Sequence, residues 1–279
     1  MRPYGYNSHC MKNKHLLIPY ITAGFPSKNL FLPILKTLSE NGADFIEVGV
    51  PHSDPLADGP VIQYASKVAV ENGVNLKWIV DICHRMHNIK IKPLILFSYL
   101  NPILQYGFEK LLKDLPKPLF YGLIIPDLPL EEAEKYLPLF KKYKLNLIPL
   151  VAPTTTRNKI KKIVRAYCPP EVDLPLADNT PLQGGFIYLV SVAGVTGVRK
   201  ALSKELKNKI KEIKSQTKKP VVVGFGISNS NQVREVISYG ADGVVLGSAL
   251  IKILMDSKNN NIASRLKGFI KKLSQLCLK

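Results

Sequence analysis

Long apolar runs are missing from this 279-residue chain. A helix that crosses a membrane needs about 20 consecutive apolar residues, and the longest candidates here, 119–126 and 220–226, are strand-sized. Cysteine is scarce: Cys10, Cys83, Cys168 and Cys277 share no paired spacing. A disulfide framework is therefore excluded and a reducing compartment is expected. Cys83 and His87 stand four apart on an expected helix, but two ligands with no further donors nearby do not make a metal site. Acids are in deficit, with 21 Asp and Glu against 39 Lys and Arg, for a formal net charge of +18. Such a balance would suit an anionic partner. Yet the cations are mostly lysines spread along expected helices (Lys141, Lys142, Lys144; Lys159, Lys161, Lys162; Lys204, Lys207, Lys209, Lys211), and no nucleic-acid motif accompanies them. Solvated helix faces, with no nucleic acid and no membrane as partner, are the expectation.

What is present is a regular alternation. Short apolar, β-branched runs at 16–21, 45–50, 93–98, 121–125, 145–151, 185–190, 220–224 and 243–247 read as buried strands. Amphipathic stretches at 30–40, 131–143, 158–167, 204–215, 232–239 and 262–276 read as helices between and after them. Strict alternation implies a parallel sheet covered by helices. Eight units in one chain of this length fit a single closed (β/α)₈ TIM barrel over 15–279. The rival, an open doubly wound sheet, would want Gly-x-Gly-x-x-Gly after its first strand, which is absent.

Residues 43–60 carry the most chemistry. The apolar second strand holds one carboxylate, Glu47, and runs into a Pro/Gly/Asp-rich loop that carries a second, Asp58. Burying a carboxylate in an apolar strand costs several kcal/mol unless it is paired or protonated. Glu47 therefore either pairs with a Lys or Arg of a neighbouring strand, or performs chemistry with Asp58 at the strand's end. Barrel sites lie at the C-terminal ends of strands, often with a phosphate near the seventh and eighth. Gly224-Phe225-Gly226 follows the seventh strand, and Gly247-Ser248 follows the eighth and opens a short helix to about residue 255. Glycine lets backbone N–H groups approach an anion, and the helix N-terminus adds its dipole.

Taken in order, several motifs are similar to the α subunit of tryptophan synthase: Ile-Pro-Tyr-Ile-Thr-Ala-Gly at 18–24, Glu-Val-Gly-Val-Pro-His-Ser-Asp-Pro-Leu-Ala-Asp-Gly-Pro at 47–60, Pro-Asp-Leu-Pro at 126–129, Val-Ala-Pro-Thr-Thr at 151–155, Phe-Ile-Tyr-Leu-Val-Ser at 186–191, Gly-Val-Thr-Gly at 194–197, Gly-Phe-Gly-Ile at 224–227 and Gly-Ser at 247–248. The resemblance spans about residues 16–276. It implies a lyase that cleaves indole-3-glycerol phosphate to indole and glyceraldehyde 3-phosphate by a retro-aldol step. It makes Glu47 the general acid/base, Asp58 the acceptor for the indole N–H, and Tyr188 a tyrosine facing the reacting centre. It assigns Gly197, Gly226, Gly247 and Ser248 to the substrate phosphate, and Tyr20, with Tyr99 and Ile62, to the indole pocket. Thr196 would belong to a closing loop and Asp54 to a contact with the partner. That partner is a pyridoxal-phosphate β subunit in an α₂β₂ complex, so this chain would hold no cofactor and no metal.

Two departures stand out. Residues 1–14 lack the amphipathic helix that relatives place under the barrel, and an insertion of about 15 residues, at about 168–183, falls before the sixth strand. Val192 also replaces a residue that is basic in some relatives. The start resembles neither a signal peptide nor a typical transit peptide. With its Lys/Asn/Ile-rich composition, the chain is expected in a plastid stroma or a bacterial cytoplasm. A stand-alone indole-3-glycerol phosphate lyase uses the same chemistry and stays open. A related barrel synthase would need a strand-end lysine that these strands do not offer, and a non-catalytic activator would not need both acids. In isolation, the loops bearing Asp54, Asp58 and Thr196 are expected to leave Glu47 open to water until a partner docks.

Overall fold

The computed structural model describes residues 14–55, 58–86, 88–117, 119–167, 185–191, 204–224, 226–256 and 261–278. Its strands are β1 (Leu16–Thr22), β2 (Ile46–Gly49), β3 (Leu94–Phe97), β4 (Phe120–Ile124), β5 (Asn146–Leu147), β6 (Leu150–Val151), β7 (Ile187–Val190), β8 (Val221–Gly224) and β9 (Gly243–Leu246). The helices that matter for the site are α1 (Pro60–Glu71), α2 (Leu100–Tyr106), α3 (Ser230–Ser238) and α4 (Ser248–Asp256). All pairings are parallel, in the order β5-β4-β3-β2-β1-β9-β8-β7-β6.

The order has two ends only because the fifth expected strand is two short ones. Pro149 has no N–H to donate, which interrupts the ladder between β5 and β6. Hydrogen bonding continues across the break all the same. Ile148 N donates to Leu123 O at 2.8 Å on one side, and Pro149 O accepts from Tyr188 N at 3.0 Å on the other. The curled sheet is thus TIM-barrel-like, with its fifth stave kinked at Pro149. A second proline explains another difference. The single helix expected at 131–143 is two, Leu130–Ala133 and Leu137–Lys142, because Pro138 lies in the first turn of the latter and cannot continue a helix from before it.

Two separate apolar clusters show which face of each strand looks inward. Alternate residues such as Leu17, Ile21, Ile46 and Val48 pack against the surrounding helices. The opposite set, including Leu16, Ile18, Tyr20, Phe45, Ile95, Phe97, Phe186, Tyr188, Val222 and Val245, forms a smaller cluster inside the curled sheet. Because side chains alternate along a strand, Glu47 shares the inward face with Phe45, and its register partner on β1 is the inward Tyr20.

Beneath the barrel, the first and last of the described residues meet. Lys14 bridges Leu278 in antiparallel fashion, and His15 N donates to Cys277 O at 2.7 Å. The Lys14 ammonium lies 2.7 Å from the buried Asp44 carboxylate, whose other oxygen accepts from Leu17 N at 2.9 Å. Lys14 therefore belongs to the fold, although the sequence placed it in an irregular extension; residues 1–13 and the insertion at about 168–183 lie outside the described residues. Replacing Asp44→Ala would leave the Leu17 N–H without this acceptor and Lys14 without this counter-charge. The expected loss is about 2–4 kcal/mol of unfolding free energy, read from urea denaturation. An unchanged midpoint and slope would show that this clasp contributes nothing.

Candidate active site

Glu47 is 2% exposed on β2, and one carboxyl oxygen, Oε2, has no hydrogen-bond partner among the described residues. No cation pairs with it among those residues either, so of the two readings open in the sequence the ion pair is not the one adopted. Burial, reinforced by the nearby charge of Asp58, raises its pKa to about 8. At neutral pH the group is a carboxylic acid, poised to give up a proton.

Asp58 lies just before α1, whose first residue is Pro60 and whose N-cap is Gly59. The aspartate is 7% exposed. Its own N–H donates to Pro55 O at 3.0 Å, and its carbonyl accepts from Gln63 Nε2 at 2.9 Å. The carboxylate accepts a hydrogen bond from the Tyr99 hydroxyl at 3.1 Å. Burial raises its pKa to about 6, and the Tyr99 bond limits the rise by stabilising the anion. Two neighbouring acids are therefore set apart, one protonated and one ionised at pH 7, the arrangement in which a carboxyl pair divides acid and anion roles. Both are buried in the isolated chain, which corrects the expectation that Glu47 stands open to water before a partner docks.

Tyrosines form the walls. Tyr20 and Tyr188 are both buried inside the barrel, and each phenol enters a notch left by glycine on the next strand. A Cβ on Gly49 would collide with the Tyr20 hydroxyl, and one on Gly224 with the Tyr188 hydroxyl. Burial raises both phenols well above their ordinary pKa, and the nearby carboxyl groups add to the rise, so both stay neutral donors. Tyr20, Phe97, Tyr99 and His52 continue as a run of rings, with centroids 6.0, 6.5 and 5.2 Å apart in turn. Ile62, half-buried, packs against the inner cluster.

Two glycines follow the ends of β8 and β9. Gly226 has a left-handed φ of +80°, which favours glycine. Gly247 lies against Tyr20, where an added Cβ would approach the ring to 3.3 Å. Ser248 begins α4, a helix whose first N–H groups have no partner within the helix. Asp54 is exposed on the loop after β2. Glu47, Asp58, Tyr20 and Tyr188 thus converge, and Gly247 adjoins them, whereas Thr196, Gly197 and Val192 lie outside the described residues. The sequence reading missed the notch roles of Gly49 and Gly224. A glycine at an inward position beside a strand bearing an inward tyrosine was the available signal, but it needs the register to be read.

No helix among the described residues is long and apolar enough to cross a membrane, and no cluster of three metal-ligating side chains occurs among them. The profile of the family described as Tryptophan synthase alpha chain matches residues 7–277. The chain is 40% identical to the tryptophan synthase alpha chain of Arabidopsis thaliana, over 89% of this chain and 84% of that one. It is 39% identical to that of Gracilaria tenuistipitata var. liui, over 96% and 92%. Among solved structures, Mycobacterium tuberculosis tryptophan synthase aligns with a TM-score of 0.79 at 31% identity, covering 96% of this chain and 94% of that one.

The two acids should titrate separately in carboxyl-labelled NMR spectra of the free protein, Asp58 near pH 6 and Glu47 near pH 8. Tyr99→Phe removes the bond that favours the Asp58 anion, so the lower titration should move upward while the fold persists. A lower titration that stays in place would detach Tyr99 from Asp58.

Proposed function

Because the chain belongs to the tryptophan synthase alpha chain family, we propose that its buried carboxyl pair performs the family's reaction, the retro-aldol cleavage of indole-3-glycerol phosphate to indole and glyceraldehyde 3-phosphate. The enzyme is a lyase of tryptophan biosynthesis. The observation that carries the assignment of roles is the split ionisation of Glu47 and Asp58 within one pocket.

The chemistry requires a proton on the ring carbon that bears the glycerol chain. Glu47, protonated at neutral pH, donates it and becomes a carboxylate. The ring is then an indolenine cation whose charge rests largely on nitrogen, and its N–H donates to the Asp58 carboxylate. An anion fixed by Tyr99 stabilises that charge without reorganising during the step. The Glu47 carboxylate next takes the proton of the hydroxyl on the carbon attached to the ring. The bond between that carbon and the ring breaks, its electrons return to the ring, and the chain leaves as an aldehyde. Glu47 ends protonated, as it began, so the cycle needs no metal or redox partner. Tyr188 and Tyr20 flank the ring, and the substrate phosphate rests on the N–H groups around Gly226, Gly247 and Ser248; the family pattern adds Gly197 to that cradle and assigns Thr196 to a closing loop. Such a site makes good use of a helix N-terminus.

Alpha chains of this family carry no cofactor; the pyridoxal phosphate belongs to the β subunit. This chain's place is beside such a subunit in an α₂β₂ complex, with Asp54 at the contact. Glu47 is already buried without a partner, so any activation by β acts through substrate position and the loops bearing Asp54 and Thr196, rather than by drying the acid.

Two measurements test this. Glu47→Gln should lower turnover by about 10²–10⁴, the usual contribution of a general acid/base, with substrate still bound; near wild-type single-turnover rates would remove Glu47 from its role. Titrating the chain with its cognate β subunit should raise indole release by about tenfold or more, which takes only about 1.4 kcal/mol. A high rate that stays flat across the titration would favour a stand-alone lyase.

A further inference from the structure

Gln232 stands outside the pocket, in the first turn of α3, yet it is only 4% exposed. Its Oε1 accepts two hydrogen bonds from one residue of the turn between β8 and α3: Ser228 N at 2.8 Å and Ser228 Oγ at 3.1 Å. The same turn is pinned from its other side by Asn229, the helix N-cap, whose Oδ1 accepts from Asn231 N and from Gln232 N, each at 3.0 Å. The brace and the cap thus hold the backbone at 228–232 from two directions. Just before it sits Gly226 in its left-handed conformation, and then Ile227, buried at 1%. Among the described residues, the N–H groups of Gly226 and Ile227 make no hydrogen bond with the protein.

We propose that Gln232 is a positioning residue for the substrate's phosphate: by consuming both donors of Ser228 it fixes the turn so that the Gly226 and Ile227 N–H groups stay directed at the anion. This rests on the phosphate reading given above. The logic is selective. Without the acceptor, the Ser228 N–H is left to find another, and the simplest candidates are neighbouring carbonyls of its own turn or the phosphate itself. Either choice re-aims the preceding peptides. A buried amide oxygen serves better here than a carboxylate, because a negative charge behind the turn would oppose the anion in front of it. Gln232 touches neither reacting atoms nor the carboxyl pair, so its loss should weaken binding without altering the chemical step.

The test uses the full chain, with Gln232→Met to keep the length and apolar bulk while removing the whole amide, acceptor and donor alike. Expected are a KM for indole-3-glycerol phosphate raised about tenfold, a kcat within about twofold of wild type, and a matching loss of affinity for glycerol 3-phosphate. Inhibition by indole alone, which lacks the phosphate, should not change. Ser228→Ala, which deletes only the Oγ bond and keeps the N–H bond, should cost no more than about threefold in KM. Gly247→Asp, tested in parallel, reports on the phosphate site itself. If Gly247→Asp abolishes glycerol 3-phosphate binding while Gln232→Met leaves it intact, the phosphate reading stands and the role of Gln232 is overturned. If neither substitution changes it, the phosphate reading fails as well. Equal losses for indole and for glycerol 3-phosphate in Gln232→Met, or a fall in kcat that tracks a lowered Tm, would reduce the residue to a structural part and likewise overturn the proposal.

Discussion

A carboxyl group enclosed by a β-barrel, with no cation paired to it among the described residues, is the constraint around which the rest of this molecule is arranged. Ionising Glu47 there would set a charge in an apolar interior next to a second acid, so the proton stays on to about pH 8. The sign of the consequence for stability follows. In the unfolded chain such a group ionises near its ordinary value of 4.5. Between that pH and about 8 the native state must hold a proton that the unfolded state releases, so native stability falls as pH rises through this window. The fold tolerates that loss because hydrophobic clusters lie on both sides of the sheet. What it gains is an acid that still holds its proton at neutral pH, ready for a carbon protonation.

Holding the acid is only half of the arrangement, since a second carboxyl group in the same low-dielectric space could have stayed protonated too. Asp58 differs in where it stands and in what it touches. It sits on the loop beyond the strand, its backbone is fixed at both ends by Pro55 and Gln63, and its carboxylate has the Tyr99 hydroxyl as donor. One strand position and one loop position, eleven residues apart in sequence, thus acquire different protonation states at neutral pH from their surroundings alone. The glycine notches then decide where the phenols stand. If Gly49 or Gly224 carried a side chain, Tyr20 or Tyr188 would have to shift from the place it holds beside the acids.

How much of this could be read from sequence depends on how local each signal is. Glu47 and Asp58 were legible because an acid in a β-branched run, followed closely by Pro, Asp and Gly, is unusual within a dozen residues. The strand–helix alternation was legible for the same reason, and the strand limits agree to within one or two residues. Long-range features were not. That Gly49 serves Tyr20, and Gly224 serves Tyr188, follows only from the parallel register that sets β1 beside β2 and β7 beside β8. Tyr188 itself entered through family resemblance, since an aromatic residue in a strand has no distinguishing neighbours in sequence. Pro149 was visible, but continuous hydrophobicity across 145–151 concealed that its missing N–H would divide a strand.

The excess of positive charge tests the same distinction. Nearly every lysine singled out on the helices is exposed to solvent, where it perturbs little, as surface ion pairs contribute only small energies. Lys209 is the exception. Its side chain is 14% exposed, and the ammonium donates to the Thr155 carbonyl at 2.8 Å and lies 2.7 Å from Glu212. It therefore ties the helix after β7 to the loop after β6, two segments at the barrel's rim that flank the strand carrying Tyr188. A charge count could not separate this lysine from its neighbours; only its burial and its carbonyl partner do. Charge acts on the chemistry of this barrel where side chains are buried, and among the described residues the buried acids without a cation partner are Glu47 and Asp58, within the pocket. The broad positive field outside can draw a phosphorylated substrate toward that pocket, while the discrimination within it rests on two carboxyl groups and the hydroxyl that tells them apart.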